Sequence, residues 1–416
     1  MSARFAPAIL LGRLVRIAAR LRKPGGGSAV PGLVVNRVAP GFLAEAISSL
    51  PDGLVVVSGS SGKSTTTKML VAILSAHGER VFTNPSTANI EQGLTSAVLE
   101  RVTLAGRIHA DIAVLEMDEA HAARIAPRLT PRVVVLTNVM TDQIDRFWDS
   151  EQVLRYLEAI ARRATGGLVL NGDDAMLMQL AEGVPASLAV ELYGVTEDVL
   201  AAQPKGLGYT RTTAERTTDG TIVRSVEALD ASISVDGTDV AVTLPARGVH
   251  YAVDAAAALS AARLILGDRF DLGLAAATVS QLPPVFGRGE VRTVRGHEVE
   301  FVLVQNPASF QLNVDALDPE LDQVLMAMGS DVRDPGYLWP VDLRRCRSVA
   351  IVSGSKAHEL ALQLTYQGVP IDRIEPDIPT AVDAFLALDP PASGRKTIVF
   401  TADAMRRTRA HLGLTT

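Results

Sequence analysis

Cysteine is almost absent from this chain of 416 residues, which contains only Cys346. A single thiol excludes an internal disulfide and a four-cysteine zinc site, so we expect no zinc, and this usage is typical of a reducing compartment. The net charge of −6 is not the strong basicity of a nucleic-acid-binding protein. No apolar run reaches the roughly 18 residues of a membrane-spanning helix. These absences favour a cytoplasmic protein that does not bind nucleic acid.

The length fits a multidomain enzyme, and the 47% hydrophobic and 21% charged residues are typical of a soluble globular protein with sizeable cores. Between residues 54 and 171 apolar strands alternate with helical stretches, which predicts a parallel sheet with helices on both faces. Residues 192–246 are polar and contain two Asp-Gly pairs, which favour antiparallel hairpins. After a Pro- and Gly-rich boundary, strand–helix alternation resumes and predicts a smaller α/β domain. We expect an N-terminal helix and loop (1–50), a central domain (51–284) and a C-terminal domain (285–416).

The N-terminal stretch APAILLGRLVRIAARLRK has the period of an amphipathic helix. Its apolar face comprises Leu10, Leu14, Ile17 and Leu21, and its basic face comprises Arg13, Arg16, Arg20 and Lys23. We predict that the apolar face packs on the body of the protein. The alternative is contact with a membrane surface.

The segment SGSSGKSTTT (58–67) follows an apolar strand and opens a helical stretch. Gly59 and Gly62 would let backbone N–H groups turn towards a phosphate, Lys63 would supply a positive charge, and Ser64 would ligate Mg²⁺. The spacing G-x-x-G-K-S is shorter than the full phosphate-loop pattern. Its position between a strand and a helix nevertheless favours nucleotide-phosphate binding over an ordinary Gly/Ser turn.

Acidic residues follow the next two strands, at the edge where the phosphate loop should lie. Glu116 ends the strand DIAVLE, and a carboxylate there is well placed to hold Mg²⁺. Asp118 and Glu119 follow it, each as plausible a surface acid as a metal-linked one. After the next strand, NVMTDQID brings Asp142 to the same edge. We therefore predict that Glu116 and Asp142 are linked to metal or substrate.

Three weaker signals lie further along the chain. Asn171, in LNGDD, ends a strand and fits either a turn or a nucleotide contact. Arg288, in GRGE, and Asn306, in QNPASF, would meet a nucleotide from across a cleft between domains. The loop-like stretch GSDVRDPGYLWPVD (329–342) combines acidic and aromatic residues. It fits a docking surface and a local packing cluster equally well.

Together these motifs resemble the Mur ligase superfamily and, within it, the MurT family of synthetase subunits. The resemblance covers residues 25 to 412 and is weakest between 180 and 246. The motifs that carry it are SGSSGKSTTT, STANIEQG, LEMDEA, NVMTDQIDRF, LNGDD, FGRGE, NPASF, DPGYLWPVD, SGSKAHELALQL and FTADAM.

The resemblance implies a function and a partner. It implies that ATP with Mg²⁺ activates the α-carboxylate of D-glutamate in the stem peptide of lipid II as an acyl phosphate, which ammonia converts to D-isoglutamine. The ammonia would come from a GatD-type glutaminase subunit, and contact with the inner face of the plasma membrane would follow from the membrane-anchored substrate.

The same resemblance assigns residue roles. Asp334 would complete the partner's Cys-His pair from across the interface, and Lys63 would act on the transferred phosphoryl group. Mg²⁺ would be held by Ser64 and Glu116, with Asn89 and Asp142 close to substrate or metal. The ATP-binding residues would be Gly59, Ser60, Ser61, Gly62, Lys63, Ser64, Thr65, Asn171, Arg288 and Asn306.

Two absences bear on the choice between activities. Amino-acid-adding Mur ligases carry a modified lysine in the central domain, whereas no lysine lies between Lys68 and Lys205 here. Cys346, in RRCRS, lacks the Gly-rich turn and the activated thiolate of a glutaminase nucleophile. Ammonia must then come from solution or from another polypeptide.

The sequence also departs from the MurT pattern. The middle region has none of the four zinc-ribbon cysteines found in many members, which again predicts no zinc. Gln305 replaces a lysine, Ser309 a glycine and Pro340 an aspartate, while Pro335 pushes Asp334 towards extended backbone. Two alternatives remain: an amino-acid ligase of the folylpolyglutamate or cyanophycin type, and a non-catalytic scaffold that binds nucleotide and docks a glutaminase.

Overall fold

A computed structural model describes residues 3–22, 29–85, 88–140, 149–203, 205–210, 220–284, 287–318 and 320–414. Within these residues the chain forms a sheet of nine strands in its central region and a sheet of six in its C-terminal region. Helices accompany both sheets. The predicted α/β fold class is therefore confirmed.

The central sheet consists of β1 (Leu54–Ser58), β2 (Val81–Thr83), β3 (Ile112–Glu116), β4 (Val133–Leu136), β5 (Gly167–Asn171), β6 (Ala189–Val195), β7 (Thr221–Glu227), β8 (Asp230–Val235) and β9 (Thr238–Thr243). The helices that precede or cover it are α1 (Ala6–Arg22), α2 (Val30–Val38), α3 (Phe42–Ser48), α4 (Lys63–Ala76), α5 (Glu91–Arg101), α6 (Glu119–Ile125), α7 (Ser150–Ala161), α8 (Ala175–Glu182), α9 (Glu197–Ala201), α10 (Val249–Leu266) and α11 (Leu272–Ser280).

The strand order of the central sheet is β2-β3-β1-β4-β5-β6-β7-β8-β9, and the pairings from β2 through to β7 are parallel. Val57 of β1 is paired with Glu116 of β3 and with Val135 of β4. Parallel strands end at a common edge of the sheet. The loop after β1 is therefore flanked by Glu116 and by the segment that follows β4.

Both faces of the central sheet are covered, which explains why its strands are apolar without alternation. Along β1, Val55 and Val57 belong to one hydrophobic core, whereas Leu54 and Val56 belong to the core on the opposite face. The first core contains α4 and α10, and the second contains side chains from α1, α2 and α3. The phosphate-loop strand is thereby held from two sides.

The region after β6 forms the predicted hairpins, since β7, β8 and β9 pair antiparallel and extend the central sheet. One of the two Asp-Gly pairs, Asp236 and Gly237, joins β8 to β9 with φ of 47° and 80°. Both values are positive, as a tight hairpin turn of this kind requires. The other pair lies partly outside the described residues.

The N-terminal region contains three helices in its described part, where we expected one helix and a loop. Its first helix, α1, contacts α2 and α5 through small residues: a Cβ added to Gly12 would lie 2.8 Å from side-chain atoms of both Leu99 and Val35. Ile9, on the same side, is fully buried. The predicted packing face is wrong, because the side chains on that face are 49% to 82% exposed: Leu10, Leu14, Ile17 and Leu21.

One helix, α10, is long and apolar enough to cross a membrane when the described residues are searched by length and composition. However, 83% of its apolar window is buried inside the protein. It lies against α4 and against β5, β6 and β7. It is therefore the central core helix of the domain, and its first turns face the phosphate loop.

The C-terminal sheet has the strand order β10-β11-β15-β12-β13-β14, antiparallel between β10 and β11 and parallel elsewhere. Its strands are β10 (Arg288–Val294), β11 (His297–Leu303), β12 (Val324–Ala327), β13 (Val349–Ser353), β14 (Ile371–Glu375) and β15 (Lys396–Phe400). Its helices are α12 (Pro307–Ala316), α13 (Ala357–Tyr366), α14 (Ile378–Leu386) and α15 (Ala402–His411).

Candidate functional site

The loop between β1 and α4 has the backbone that its glycines predict. Gly59 and Gly62 adopt φ of 131° and 82°, which side chains other than glycine rarely adopt. A Cβ at Gly59 would lie 2.2 Å from Thr137 Oγ1, so the space next to the loop is filled as well. The first helical hydrogen bond of α4 runs from the Thr66 N–H to the Gly62 carbonyl. The N–H groups before it are directed out of the helix end, where they suit an anion.

Asn138 holds the first half of this loop. Its backbone carbonyl accepts from the Ser60 N–H and its side-chain oxygen accepts from the Ser61 N–H, both at 2.9 Å. The hydroxyl of Ser60 in turn accepts from the Met140 N–H at 3.0 Å. Ser60 and Ser61 were both expected to bind phosphate, but their N–H groups donate to Asn138, in the segment that follows β4. We therefore expect phosphate contacts from the residues Gly62 to Thr65 rather than from Ser60 and Ser61.

Lys63 is folded back over the loop. Its ammonium group donates to the carbonyl of Gly59, to the carbonyl of Ser60 at 3.2 Å, and to Glu119 Oε1 at 3.0 Å. Glu119 is fully buried, and its second oxygen, Oε2, has no hydrogen-bond partner among the described residues. A buried carboxylate with one oxygen to spare can hold a cation or keep the lysine in place.

The two acidic residues after Glu116, Asp118 and Glu119, have different structural roles. Asp118 caps α6, since its carboxylate accepts from the His121 N–H at 3.4 Å. Glu119, by contrast, points to the phosphate loop and pairs with Lys63. The first is therefore part of the helix start, and the second belongs to the candidate site.

Ser64 and Glu116, both expected to hold Mg²⁺, are in direct contact. The Ser64 hydroxyl donates to Glu116 Oε1 at 3.0 Å. Burial raises the pKa of Glu116, while Lys63, Ser64, Arg288 and Asn89 act in the opposite direction. A hydroxyl and a carboxylate side by side next to a phosphate site are suitable ligands for Mg²⁺, which takes few protein oxygens and completes its shell with phosphate and water.

Asn84 fixes the backbone of Glu116. Its side chain accepts from the Glu116 N–H at 3.0 Å and donates to the Glu116 carbonyl at 3.1 Å. Asn89, which we predicted near substrate or metal, hydrogen-bonds to the Glu116 side chain, and its carbonyl accepts from the Asp118 N–H. Asn89 thus lies next to the Glu116 side chain, and its role towards substrate or metal stays a prediction.

The C-terminal domain reaches this site through Arg288. The guanidinium group of Arg288 lies 3.5 Å from Thr65 Oγ1 and 3.5 Å from Gln305 Oε1. Arg288 thus connects the first turn of α4 with the segment after β11. Sequence reasoning placed it across an interdomain cleft, and the described geometry agrees with that position.

A cleft with an empty volume of about 670 Å³, including its open mouth, lies between these elements. Its walls come from the phosphate loop, from the first turns of α10, and from β11 and α12 of the C-terminal domain. Apolar and polar groups alternate along them. The residues that line the cleft include Ser61, Gly62, Thr65, Asn138, His250, Tyr251, Asp254, Arg288, Gln305 and Ser309.

The α10 wall of the cleft carries two ionisable groups with displaced pKa values. Burial raises the pKa of Asp254 to about 8, and the nearby Arg288 acts against this shift. Burial also lowers the pKa of His250 to about 4, with Arg288 adding to the effect. Asp254 is the neighbour of Gly62, since a Cβ on that glycine would lie 2.2 Å from Asp254 Oδ1. Burial therefore favours the neutral form of both groups.

Two residues that we predicted to bind nucleotide, Asn171 and Asn306, make hydrogen bonds that stabilise the fold. Asn171 is fully buried, donating to the Thr137 carbonyl at 3.3 Å and accepting from the Asp173 N–H at 3.0 Å. Asn306 caps α12, since its side chain accepts from the Ser309 N–H at 2.6 Å while the Ser309 hydroxyl accepts from the Asn306 N–H. Ser309, one of the departures from the family pattern, therefore completes a capping box.

Asp334 lies on an exposed segment after β12. It has the extended backbone expected before proline, with φ of −106° and ψ of 112°, and its carboxylate accepts from the Gly336 N–H at 2.8 Å. Trp339, on the same segment, makes an edge-to-face contact with Tyr366, and their exposed fractions are 44% and 81%. Exposed aromatic side chains of this size are typical of interfaces. The remaining predicted residue, Asp142, lies outside the described residues.

Three contributors to the site gave no usable signal in the sequence. Asp254 and His250 sit in the Ala-rich stretch HYAVDAAAALSAARLIL, whose composition indicates only a core helix. Asn84 precedes a proline and looks like an ordinary turn residue. An acid in the middle of an otherwise apolar buried helix was the one available hint.

Comparison with known proteins agrees with this architecture. A model of the Mur ligase middle domain matches residues 57–262, and a model of the MurT ligase C-terminal domain matches residues 303–405. The lipid II isoglutaminyl synthase (glutamine-hydrolyzing) subunit MurT of Streptococcus pneumoniae is 28% identical over 396 residues, covering 85% of each chain.

Solved structures share the fold at lower identity. MurF from Acinetobacter baumannii is similar with a TM-score of 0.67 and 18% identity, over 92% of this chain and 80% of that one. MurF ligase from Thermotoga maritima, solved in complex with ADP, has a TM-score of 0.65 and 19% identity, over 89% and 81%. With a Mur ligase middle domain followed by a MurT C-terminal domain, the chain belongs to the MurT family of the Mur ligase superfamily.

Proposed function

We propose that the chain is the ATP-dependent synthetase subunit of a lipid II isoglutaminyl synthase. A carboxylate oxygen of D-glutamate in the lipid II stem peptide attacks the γ-phosphorus of ATP, which releases ADP and forms an acyl phosphate. Ammonia then attacks the acyl carbon and forms the C–N bond, the C–O bond to the phosphoryl group breaks, and inorganic phosphate and a proton are released. The product is D-isoglutamine.

The observation that carries this proposal is the arrangement around Glu116, whose carboxylate accepts from Ser64 and is influenced electrostatically by both Lys63 and Arg288. Lys63 and Arg288 would offset the negative charge that spreads over the transferred phosphoryl group, which is the main catalytic task in phosphoryl transfer. Mg²⁺, held by Ser64 and Glu116, would neutralise charge on the phosphate oxygens of ATP. The spare oxygen of Glu119 and the outward N–H groups at the start of α4 fit a site for a cation and a polyphosphate.

The chain does not supply its own ammonia by the usual glutaminase chemistry. Burial raises the pKa of its sole thiol, Cys346, to about 12, with Asp315 adding to the shift. A protonated, buried thiol is a poor nucleophile. We therefore propose a separate GatD-type glutaminase partner, with Asp334 orienting the partner's histidine across the interface. The exposed segment around Asp334 and Trp339 supports this position.

Lipid II is anchored in the membrane, and ATP and glutamine are cytoplasmic. We therefore propose that the protein works in the cytoplasm at the inner face of the plasma membrane. The lack of lysine between Lys68 and Lys205 favours ammonia over an amino acid as the attacking amine.

The proposal is tested by co-expressing the chain with candidate glutaminases and incubating the complex with lipid II, ATP, Mg²⁺ and glutamine. Mass spectrometry of the stem peptide should show replacement of one carboxylate by a carboxamide. Lys63→Ala should abolish the change, while Lys356→Ala, the same substitution on the C-terminal domain, should not. Incorporation of an amino acid instead of ammonia, or no turnover of ATP with all substrates present, would contradict the proposal.

A further inference from the structure

The first helix of the protein, α1, turns its large apolar side chains to solvent, whereas a usual surface helix turns them to the core. Its contact side is formed by small and apolar residues such as Ile9 and Gly12. Two of its arginines also turn to the body: Arg13 donates to the Val102 carbonyl at 2.5 Å, and Arg16 pairs with Glu100 at 2.5 Å. A helix that only covers a core would instead present its charged residues to water.

The side of α1 that faces solvent is rich in large apolar side chains. Exposed fractions are 49% for Leu10, 64% for Leu14, 57% for Ile17 and 82% for Leu21. Spacings of four, three and four residues place these four side chains on one stripe of the helix. We call this stripe the leucine face. Nothing in the described part of the chain covers it.

The region around the leucine face is basic, although the protein as a whole is acidic. The first 50 residues hold seven of the chain's 40 lysines and arginines but only one of its 46 acidic residues. The rest of the chain therefore carries 33 basic and 45 acidic residues. The neighbouring helix, α2, repeats the pattern with Leu33, Arg37 and Val38 all exposed.

We propose that the leucine face inserts into the surface of an anionic lipid bilayer. Apolar side chains on one side of a helix within a basic region match both the acyl boundary and the negative headgroups of a cytoplasmic leaflet. The choice of a bilayer over a second protein rests on the proposed function, whose substrate is lipid-linked. The glutaminase is assigned elsewhere, since α1 packs on the central domain and Asp334 belongs to the C-terminal domain.

The test is sedimentation of the purified full chain with vesicles that contain neither lipid II nor nucleotide. We expect binding to vesicles of phosphatidylglycerol and phosphatidylcholine, weaker binding to phosphatidylcholine alone, and a decrease with added salt. The double variant Leu14→Glu, Ile17→Glu should reduce the bound fraction by about tenfold or more, because two apolar contacts become charged. Because no substrate is present, this result does not depend on whether amidation is observed.

The matched control is Leu362→Glu, since Leu362 is 61% exposed on α13 of the C-terminal domain. It should bind vesicles as the wild type does, and circular dichroism should show that all variants are folded. The proposal is overturned if the wild type stays in the supernatant or if the double variant binds equally well. It is also overturned if the double variant only converts a dimer to a monomer in light scattering, which would assign the leucine face to a second copy of the chain.

Discussion

The two places where we propose that acidic side chains take part in the chemistry differ in burial, in their hydrogen-bond partners and in the domain that carries them. Around Lys63, the carboxylates of Glu116 and Glu119 are buried and already bonded to the groups that they would work with. Asp334, on the other domain, is exposed, accepts from the N–H of Gly336, and lies on the same segment as the exposed Trp339. The first site is arranged within one chain, so a small ligand completes it. In the proposed function, the second is completed by groups of a partner protein.

The largest effect is expected at the buried site. Lys63→Ala should lower the rate of ATP-dependent amidation by about 10³-fold or more, because the phosphoryl group loses a cation that it contacts in the transition state. The measurement is amide formation with ammonium chloride as the nitrogen source, so that the glutaminase is not involved. Lys356→Ala should retain the wild-type rate, and an equal loss in both variants would show that the effect is not local.

The next largest effect separates the two sites. Asp334→Asn should reduce glutamine-dependent amidation by about 10²-fold or more, since an amide would orient the partner's histidine less well. Amidation with ammonium chloride should be unchanged, because the buried site is intact. Asp372→Asn, an exposed aspartate of β14, is the matched control. Loss of both activities in Asp334→Asn would disprove the division of labour between the domains.

A smaller effect is expected for the metal ligand. Glu116→Gln should raise the Mg²⁺ concentration needed for half-maximal ATP hydrolysis by about tenfold or more, because a neutral amide is a weaker ligand than a carboxylate. Titration of Mg²⁺ at saturating ATP measures this change. Glu359→Gln, at a half-buried carboxylate that pairs with Lys356 at the start of α13, should leave the titration unchanged, and an identical curve for Glu116→Gln would exclude a metal role.

The smallest effect concerns Asp254 and pH. Its folded-state pKa of about 8 lies above the ordinary value of 3.8, so the folded chain keeps a proton that the unfolded chain loses. This group therefore contributes stability at low pH that is lost as the pH rises from about 4 to about 8. Asp254→Asn should make the free energy of unfolding less dependent on pH in this window, by about 1 kcal/mol or more. Urea unfolding at pH 5 and pH 8 measures the free energy of unfolding of both proteins. An equal change between the two pH values in wild type and variant would contradict the burial argument.

The strands and helices and the surroundings of Lys63 could be predicted from the sequence, because both depend on local sequence pattern. A buried apolar strand followed by two glycines and a lysine allows few conformations, and parallel strands bring Glu116 to the same edge. The roles of Asn171 and Asn306 could not be predicted, because the same amide can cap a helix or bind a ligand. The contact face of α1 was wrong for a related reason. The helical period identifies an apolar stripe on α1. It does not show that the opposite side, with Gly12, packs against Leu99 and Val35.

Two sets of contacts near the cleft differ in strength. Lys68 donates to the Pro283 carbonyl at 2.7 Å and to the Pro284 carbonyl at 3.2 Å, which anchors the end of the central domain to α4. At the mouth, Arg288 reaches Thr65 and Gln305 only at 3.5 Å, the outer limit of a hydrogen bond. We therefore expect phosphate bound beside Lys63 and Arg288 to strengthen the attachment of the C-terminal domain to α4, because it would link two cations that lie on different domains.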